Sequence, residues 1–393
     1  MTQSPSALAG VRVLDLTRAL AGPWCTQNLA DLGAEVIKVE RPEHGDESRA
    51  WGPPWMQDNA GRETTQSAYF LCCNRNKKSI TVDIAAPAGQ AEIRNLVTTT
   101  DVLIENYKVG QLRKYGLDYA SLKQVNPSLI YCSITGFGQN GPWAHRPGYD
   151  FVSQGMSGFL SVTGERDGVP GAGPQKAGIG IADLFTGMYS ALAVLAALHH
   201  RQRCGEGQYI DVSLLDSMVA AMSNVNTAYL SSGVVPTRCG NAHHSIVPYG
   251  VFVTADGHVI IGIGNNAQYR KFCEAAGRPD LATDPRFLTN AQRVQQREVL
   301  VPIVEELVKQ RTRAEWIERL EANGVPCAPI NNVHEALNNP QIEARGLRVD
   351  MPHSTGLIAK LVGSPINLSA TPVSYRQAPP LLGEHNEEIL GRP

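Results

Sequence analysis

Over its first 140 residues the chain alternates short β-type runs with helical stretches, and this alternation leaves few folds open to it. Residues 11–16, 35–40, 79–84, 101–105 and 129–134 read as strands; a helix through Asn28 and Leu32, then 88–97 and 119–125, fill most of the gaps. Strands joined through helical crossovers pair in parallel, and a parallel sheet needs both faces covered. The expected class is therefore α/β, built on an open, parallel, Rossmann-like sheet. Ligands of such sheets bind beyond the carboxyl ends of the strands. A dinucleotide is not the expected ligand. The turn after the first strand, Thr17-Arg18-Ala19-Leu20-Ala21-Gly22-Pro23, lacks the Gly-x-Gly-x-x-Gly that brings backbone against a pyrophosphate. Gly178-Ile179-Gly180 is a partial match, with Asp183 where the third glycine would stand.

The pattern changes after His200. A polar turn over 201–208 leads to a strand at 209–213 and a helix through Met222. A hairpin follows, with arms at 250–254 and 258–263 around Ala255-Asp256-Gly257, and then helices at 267–276 and 299–320. At 393 residues the chain is too long for one ordinary core, and the two patterns imply two domain-like portions, the second α+β.

Composition narrows the partners. With 35 basic and 37 acidic residues the net charge is −2, so no global field draws the chain to nucleic acid or anionic lipid. The eight cysteines include no Cys-x-x-Cys, and the adjacent Cys72-Cys73 suits neither a structural bridge nor a zinc site; they read as reduced thiols. Residues 1–10 show no targeting pattern. The most apolar run, 184–198, falls short of the roughly 20 residues of a bilayer span and reads as a buried helix. A cytoplasmic protein, or the mature form of a mitochondrial-matrix one, is expected, with no membrane partner.

Asp183 heads the apolar helix, with Gly178, Gly180 and Ala182 upstream and an aliphatic run over 192–198 downstream. The amides of a first helical turn are unpaired and the dipole there is positive, so the carboxylate should be ionised and open to a substrate. Those are the properties of a carboxylate nucleophile. The same position suits a plain N-cap, a role in which Asp is among the preferred residues.

Several separate stretches decide how that position is read. They are Asp15-Leu16-Thr17-Arg18 with Ala21-Gly22-Pro23; Leu32-Gly33-Ala34-Glu35-Val36-Ile37-Lys38-Val39-Glu40-Arg41-Pro42; Asn74-Arg75-Asn76-Lys77-Lys78-Ser79-Ile80; Glu105-Asn106-Tyr107; Gly148-Tyr149-Asp150; Ala182-Asp183-Leu184-Phe185-Thr186-Gly187; and Gly205-Glu206-Gly207-Gln208 leading into Asp211-Val212-Ser213. In this order and spacing, over nearly the whole chain, they resemble the class III CoA-transferase family. Trp51-Gly52-Pro53-Pro54, Ser245-Ile246-Val247-Pro248-Tyr249 and Pro329-Ile330-Asn331-Asn332 look closest to its succinyl-CoA:glutarate branch. The resemblance implies that Asp183 attacks an acyl-CoA thioester and that the reaction passes through an acyl-aspartyl anhydride and an aspartyl-CoA thioester. No permanently bound cofactor or metal is implied; coenzyme A is a substrate, beside a small carboxylic acid. It also implies an interlocked homodimer whose C-terminal segment returns to the large domain. The expected division is a large CoA-binding domain over 1–200 completed by about 365–393, a linker over 201–240, a small α+β domain over 241–340 and a return linker over 341–364.

CoA carries a 3′-phosphate and a diphosphate, which need fixed cations. Arg41, at the carboxyl end of the second strand, is well placed for them. The family pattern maps further CoA contacts onto Val82, Asn106, Tyr107 and Lys114, with Arg18 and Arg146 as weaker candidates. Lys114 and Arg146 read equally as solvated charges. Lys77-Lys78 reads as a solvated strand entrance rather than a phosphate clamp. Some family members carry a glycine-rich loop over the aspartate; here the place reads Gly240-Asn241-Ala242-His243-His244-Ser245-Ile246-Val247, where His243, His244 and Ser245 could bind a second carboxylate or be ordinary loop residues. Three alternatives stand beside the transferase. A 2-methylacyl-CoA racemase would need a base where Tyr149 stands, and a phenol with pKa near 10 is a poor one. A silent acyl-CoA-binding protein would lack Asp183. An acyl-CoA hydrolase would leave the anhydride open to water.

Overall fold

The computed structural model describes residues 6–392, so the first half of the 1–10 segment lies outside it. The chain forms two compact units. The first takes the chain up to Phe159, Lys176–Val234 and the chain from Pro340 onward; the second takes Leu160–Gln175 and Val235–Asn339.

The first unit opens with β1 (Arg12–Asp15), α1 (Ala21–Asp31) and β2 (Glu35–Glu40), then a hairpin of β3 (Trp55–Gln57) and β4 (Glu63–Ser67). It continues through β5 (Lys77–Thr81), α2 (Pro87–Val97), β6 (Val102–Glu105), β7 (Ile130–Thr135), α3 (Asp150–Met156), α4 (Ile181–Cys204), β8 (Tyr209–Ser213) and α5 (Leu214–Ala221). Its sheet has the order β5-β2-β1-β6-β7-β8, with every neighbouring pair parallel. The α/β class with an open parallel sheet is therefore as expected. Successive side chains of a strand point to opposite faces. Val13 accordingly packs with Val36, Val102 and Ile130 beneath α1 and α4, while Leu14 packs with Ile37, Ile80 and Leu103 beneath α2. The chain leaves β1 toward β2 and later returns on its other side as β6, so the strand order reverses between β1 and β6.

The second unit is built on β9 (Tyr249–Val253), β10 (His258–Gly262) and β11 (Cys327–Pro329), an antiparallel sheet of three strands. Helices α6 (Asn266–Ala275), α7 (Arg297–Val308) and α8 (Arg313–Ala322) belong to it, and Phe252, Ile261, Phe272 and Trp316 share its core. The single helix expected at 299–320 is two, because Thr312 starts α8 with a capping box to Glu315.

The expected division is corrected at three places. Residues 201–240 are not a linker: they include the end of α4, the sixth strand β8 and α5. Residues 160–175, expected in the large domain, belong to the second unit. The return linker at 341–364 holds a hairpin of β12 (Arg348–Pro352) and β13 (Ile358–Val362) inside the first unit.

The Asn74–Lys78 motif anchors this returning chain. Asn76 donates its amide to Gln377 O at 2.8 Å and accepts the Arg376 amide at 2.7 Å, while Arg75 donates to Val362 O at 2.7 Å. Arg75 also pairs with buried Asp31 at 2.6 Å. Lys77 is fully buried, 3.1 Å from Asp15 Oδ2 and 2.8 Å from Asn74 Oδ1, so the solvated reading fails for it. Lys78 is half-buried and pairs with Glu35 and Glu388.

Helix α4 runs 24 residues, longer than the run of 184–198 implied, and by length and composition alone could cross a membrane. Ala191, Val194, Ala197 and Leu198 pack into the sheet core, whereas Phe185, Met188, Tyr189 and Leu192 are exposed in the single chain. Gly187 is where it meets α1: a Cβ there would stand 2.6 Å from Ala21 O.

Candidate active site

The turn after β1 and the turn after β6 meet at the point where the strand order reverses, the usual ligand crevice of an open α/β sheet. Arg18 donates its amide to Asn106 Oδ1 at 3.0 Å, and Asn106 Nδ2 donates to Arg18 O at 2.8 Å. The Arg18 guanidinium lies 5.1 Å over the Tyr107 ring and pairs with Glu47. Ala19 has φ +67°, a left-handed conformation, and its amide is held by Asp46 Oδ1 at 3.1 Å. Asp46 is buried and pairs with equally buried Lys38 at 2.9 Å; Lys38 in turn donates to Thr17 O at 2.8 Å. Burial opposes ionisation of Asp46, yet the Lys38 ammonium outweighs it and holds the carboxyl below its usual range.

Asp183 is the third residue of α4. It is not the cap: Gly180 precedes the helix, and no hydrogen bond reaches the Asp183 carboxylate among the described residues. The cap comes from Asp150 at the start of α3, whose Oδ1 accepts the Ala182 amide at 2.7 Å and the Asp183 amide at 3.4 Å. Gln154 fixes Asp150 by donating to its Oδ2 at 2.6 Å, and accepts the Ala177 amide at 2.9 Å. Bringing this segment to the end of β7 needs two glycines back to back, since a Cβ on Gly136 would stand 2.4 Å from Gly148 Cα. Burial, with the Asp150 charge adding to it, pushes the Asp183 carboxyl up to about 7. Both causes oppose the ionised carboxylate expected from the helix-start position.

Asp183 lines a cavity of about 410 Å³ with Asp150, Tyr149, Tyr69, Asn106 and Arg146. A second, of about 570 Å³, is lined by Arg41, His44, Val82, Gln111 and Tyr115. Arg18, Glu47, Trp51 and Tyr107 line both, so the two form one path along the carboxyl edge of the sheet. The fold therefore gathers Arg41, Val82, Tyr107, Arg18, Asn106, Arg146 and Asp183. Lys114 is exposed on the turn Leu112–Tyr115 and lines neither cavity. Sequence reading missed Tyr69, which no local pattern marked, and the capping role of Asp150, although Gly148-Tyr149-Asp150 had been noticed. Trp51, in the noted Trp51-Gly52-Pro53-Pro54, packs edge-on to Tyr69 at 4.8 Å.

His243, His244 and Ser245 lie in the second unit. Arg297 clamps the loop through His243 O at 2.7 Å and His244 O at 2.9 Å, and Asn290 donates to Ser245 O at 2.7 Å. Ser245 donates its amide to His243 Nδ1 at 3.0 Å, which leaves the proton of a neutral ring on Nε2. Burial first, then the charges of His244 and Arg297, hold His243 below its usual range. The backbone is fixed, and the His244 and Ser245 side chains remain exposed.

The family model of CoA-transferase family III matches residues 8–386. The chain belongs to this family. It is 49% identical over 393 residues to a succinate–glutarate CoA-transferase of Agrobacterium fabrum, covering 99% of this chain and 97% of that protein. It is 43% identical to the mouse succinyl-CoA:glutarate CoA-transferase, covering 98% of this chain and 86% of that one. A crystal structure of a CAIB/BAIF family protein from Brucella suis matches the transferase with a TM-score of 0.85 at 46% identity, covering 99% of both chains.

Proposed function

We propose that this transferase moves CoA from succinyl-CoA to glutarate or a similar C4–C6 dicarboxylate, with Asp183 as nucleophile. The observation that carries this reading is a carboxylate without a hydrogen-bond partner among the described residues, at one end of a path whose other end is lined by Arg41. An extended CoA fits that layout. Its phosphates lie toward Arg41 and Arg18, its adenine end against Val82 and Tyr107, and its thioester toward Asp183, with Asn106 and Arg146 along the way; Lys114 is left outside.

A carboxylate oxygen of Asp183 attacks the thioester carbonyl, the C–S bond breaks, and CoA leaves as thiolate with the acyl group held as an anhydride. The thiolate then attacks the aspartyl carbonyl and expels succinate, leaving an aspartyl-CoA thioester. Glutarate attacks that thioester, releasing CoA thiolate and forming a new anhydride. The thiolate attacks its glutaryl carbonyl, giving glutaryl-CoA and regenerating Asp183. Every step exchanges one acyl oxygen or sulfur bond for another, so no redox group is called for. The His243-His244-Ser245 loop is assigned to the far carboxylate of the diacid, through the His243 Nε2–H and the exposed His244 and Ser245.

The apolar residues Phe185, Met188, Tyr189 and Leu192 left uncovered on α4 support a homodimer that buries them rather than a membrane. The eight free cysteines suit a reducing compartment, the cytoplasm or the mitochondrial matrix. An exchange assay tests the substrate pair: labelled glutarate offered against succinyl-CoA should acquire CoA at the rate succinate is released. Succinate release without labelled glutaryl-CoA would mark a hydrolase instead.

A further inference from the structure

A third cavity, of about 470 Å³, takes no part in the chemistry above, although it shares Lys108 and Val109 with the cavity that holds Asp183. One wall is made of three tyrosines. Tyr119 and Tyr209 stack at 5.4 Å, and Tyr131 tilts against each of them at 5.9 Å. The buried Glu105 accepts the Ser133 hydroxyl on one oxygen and the Tyr107 amide on the other at 2.7 Å, while Tyr209 donates its hydroxyl to Ser133 at 3.0 Å. Two cations stand at the mouth. Lys108 has no ion-pair partner among the described residues, and Arg113 reaches Asp118 only at 3.7 Å.

Each part selects a feature of an occupant. The three phenol rings are inclined by 27–56° to one another, and an aromatic cluster of this kind favours a planar aromatic ring, which can pack offset or edge-on against it, over an aliphatic chain. Loosely paired Lys and Arg at the mouth favour one anionic group. Burial pushes Glu105 up to about 7, so near neutrality it can donate to a ring acceptor as the acid or accept from a ring donor as the carboxylate. We propose that this cavity is a second binding site, for a planar aromatic ring carrying one anionic group, with the ring on Tyr119 and Tyr209, its edge toward Glu105 and the anion at Lys108 and Arg113. Glu105 also holds the Tyr107 amide, and Tyr107 lines the cavity assigned to CoA, so occupancy of one site should bear reciprocally on the other.

Two sources supply such a molecule, a nucleotide or an aryl acid, and AMP and 4-hydroxybenzoate represent them. The full chain is titrated calorimetrically with each, once with saturating CoA, which blocks the cavity assigned to it, and once without CoA, which removes any dependence on that assignment. Saturable binding of either probe is expected in both titrations, weakened at least tenfold in Tyr119→Leu and in Arg113→Ala, with glutarate failing to compete. AMP alone binding identifies a nucleotide site, and 4-hydroxybenzoate alone an aryl-acid site. No binding of either probe, or binding that both variants leave unchanged, overturns the proposal. If Tyr119→Leu does not fold, the exposed Arg113→Ala carries the test by itself.

Discussion

Asp150 accepts the backbone amide of Asp183 at 3.4 Å while it caps the helix through Ala182 at 2.7 Å, so the two acids are fixed at the head of one helix. The cap aims the helix end, and its charge raises the cost of ionising Asp183. Arg18, Lys108 and Arg146 line the same cavity, and none of them offsets the burial or the Asp150 charge.

That arrangement separates geometry from charge. Asn caps as well as Asp, so Asp150→Asn should keep the helix start through its Oδ1 and remove the repulsion, while giving up the Gln154 hydrogen bond, which an amide nitrogen cannot accept. The acid limb of kcat/KM, expected near pH 7 in the parent because Asp183 must be ionised to attack, should move down by about 1 unit or less, since burial is the larger cause. Asp150→Ala should in addition cost about 1 kcal/mol of stability. A pH–rate profile of Asp150→Asn that superimposes on the parent's would detach Asp150 from the ionisation of Asp183.

Asp183→Ala should lose at least roughly 10³-fold in kcat while CoA still binds. Hydroxylamine added during turnover should label Asp183 alone. Stability gives an independent readout. The carboxyl of Asp183 is held above its unfolded value of 3.8, so the folded chain binds the extra proton and stability falls as pH rises from about 4 to about 7. Asp183→Asn should therefore melt a few degrees higher than the parent at pH 8, with the gain vanishing at pH 4. Equal melting temperatures at pH 8 would contradict the burial cost assigned to Asp183.

Arg41 and Lys114 divide two residues that family pattern alone treats alike. Arg41 lines the second cavity, and its removal should weaken CoA by about 1.5 kcal/mol, near the low end for a charge-assisted contact because the side chain is exposed. Lys114→Ala should change CoA affinity by less than about 0.5 kcal/mol. Dephospho-CoA should bind the parent more weakly than CoA, and that difference should shrink in Arg41→Ala. Calorimetry in which the Lys114 change matters more than the Arg41 change would reverse the assignment.

The alternation of strands and helices made the parallel sheet legible, because period and spacing are local properties. Arg41, at a strand end, was legible for the same reason, whereas Asn106 was legible only through the family resemblance. What escaped depends on contacts distant in sequence. Lys77 looks like a solvated charge until the chain brings Asp15 and Asn74 around it. The cap of α4 comes from Asp150, 32 residues before the amide it binds, so no helix-start signal near Gly180 could reveal it. The opposed ionisation of Asp183 has the same origin, since neither burial nor the Asp150 charge is written in the segment around it. The break at Thr312 is different: Thr312-x-x-Glu315 is a local signal, and the apolar run across it obscured it.

The diacid assignment is the most exposed of the expectations. A site built for a second carboxylate leaves its donors unpaired when a monoacid binds, and that penalty produces large discrimination. Glutarate should therefore react at least about 100-fold faster than valerate, and succinyl-CoA similarly faster than butyryl-CoA. The loop backbone is clamped by Arg297 and Asn290, so replacing His243 and Ser245 together by alanine should remove side-chain donors without loosening the loop. The double variant should lose specificity constant for glutarate and keep it for valerate, narrowing the gap from the diacid side. Should glutarate and valerate have equal kcat/KM in the parent, the dicarboxylate reading falls while family membership stands. Should the gap survive the double variant, the far carboxylate is read elsewhere, and Arg146 in the cavity beside Asp183 is the next cation to replace.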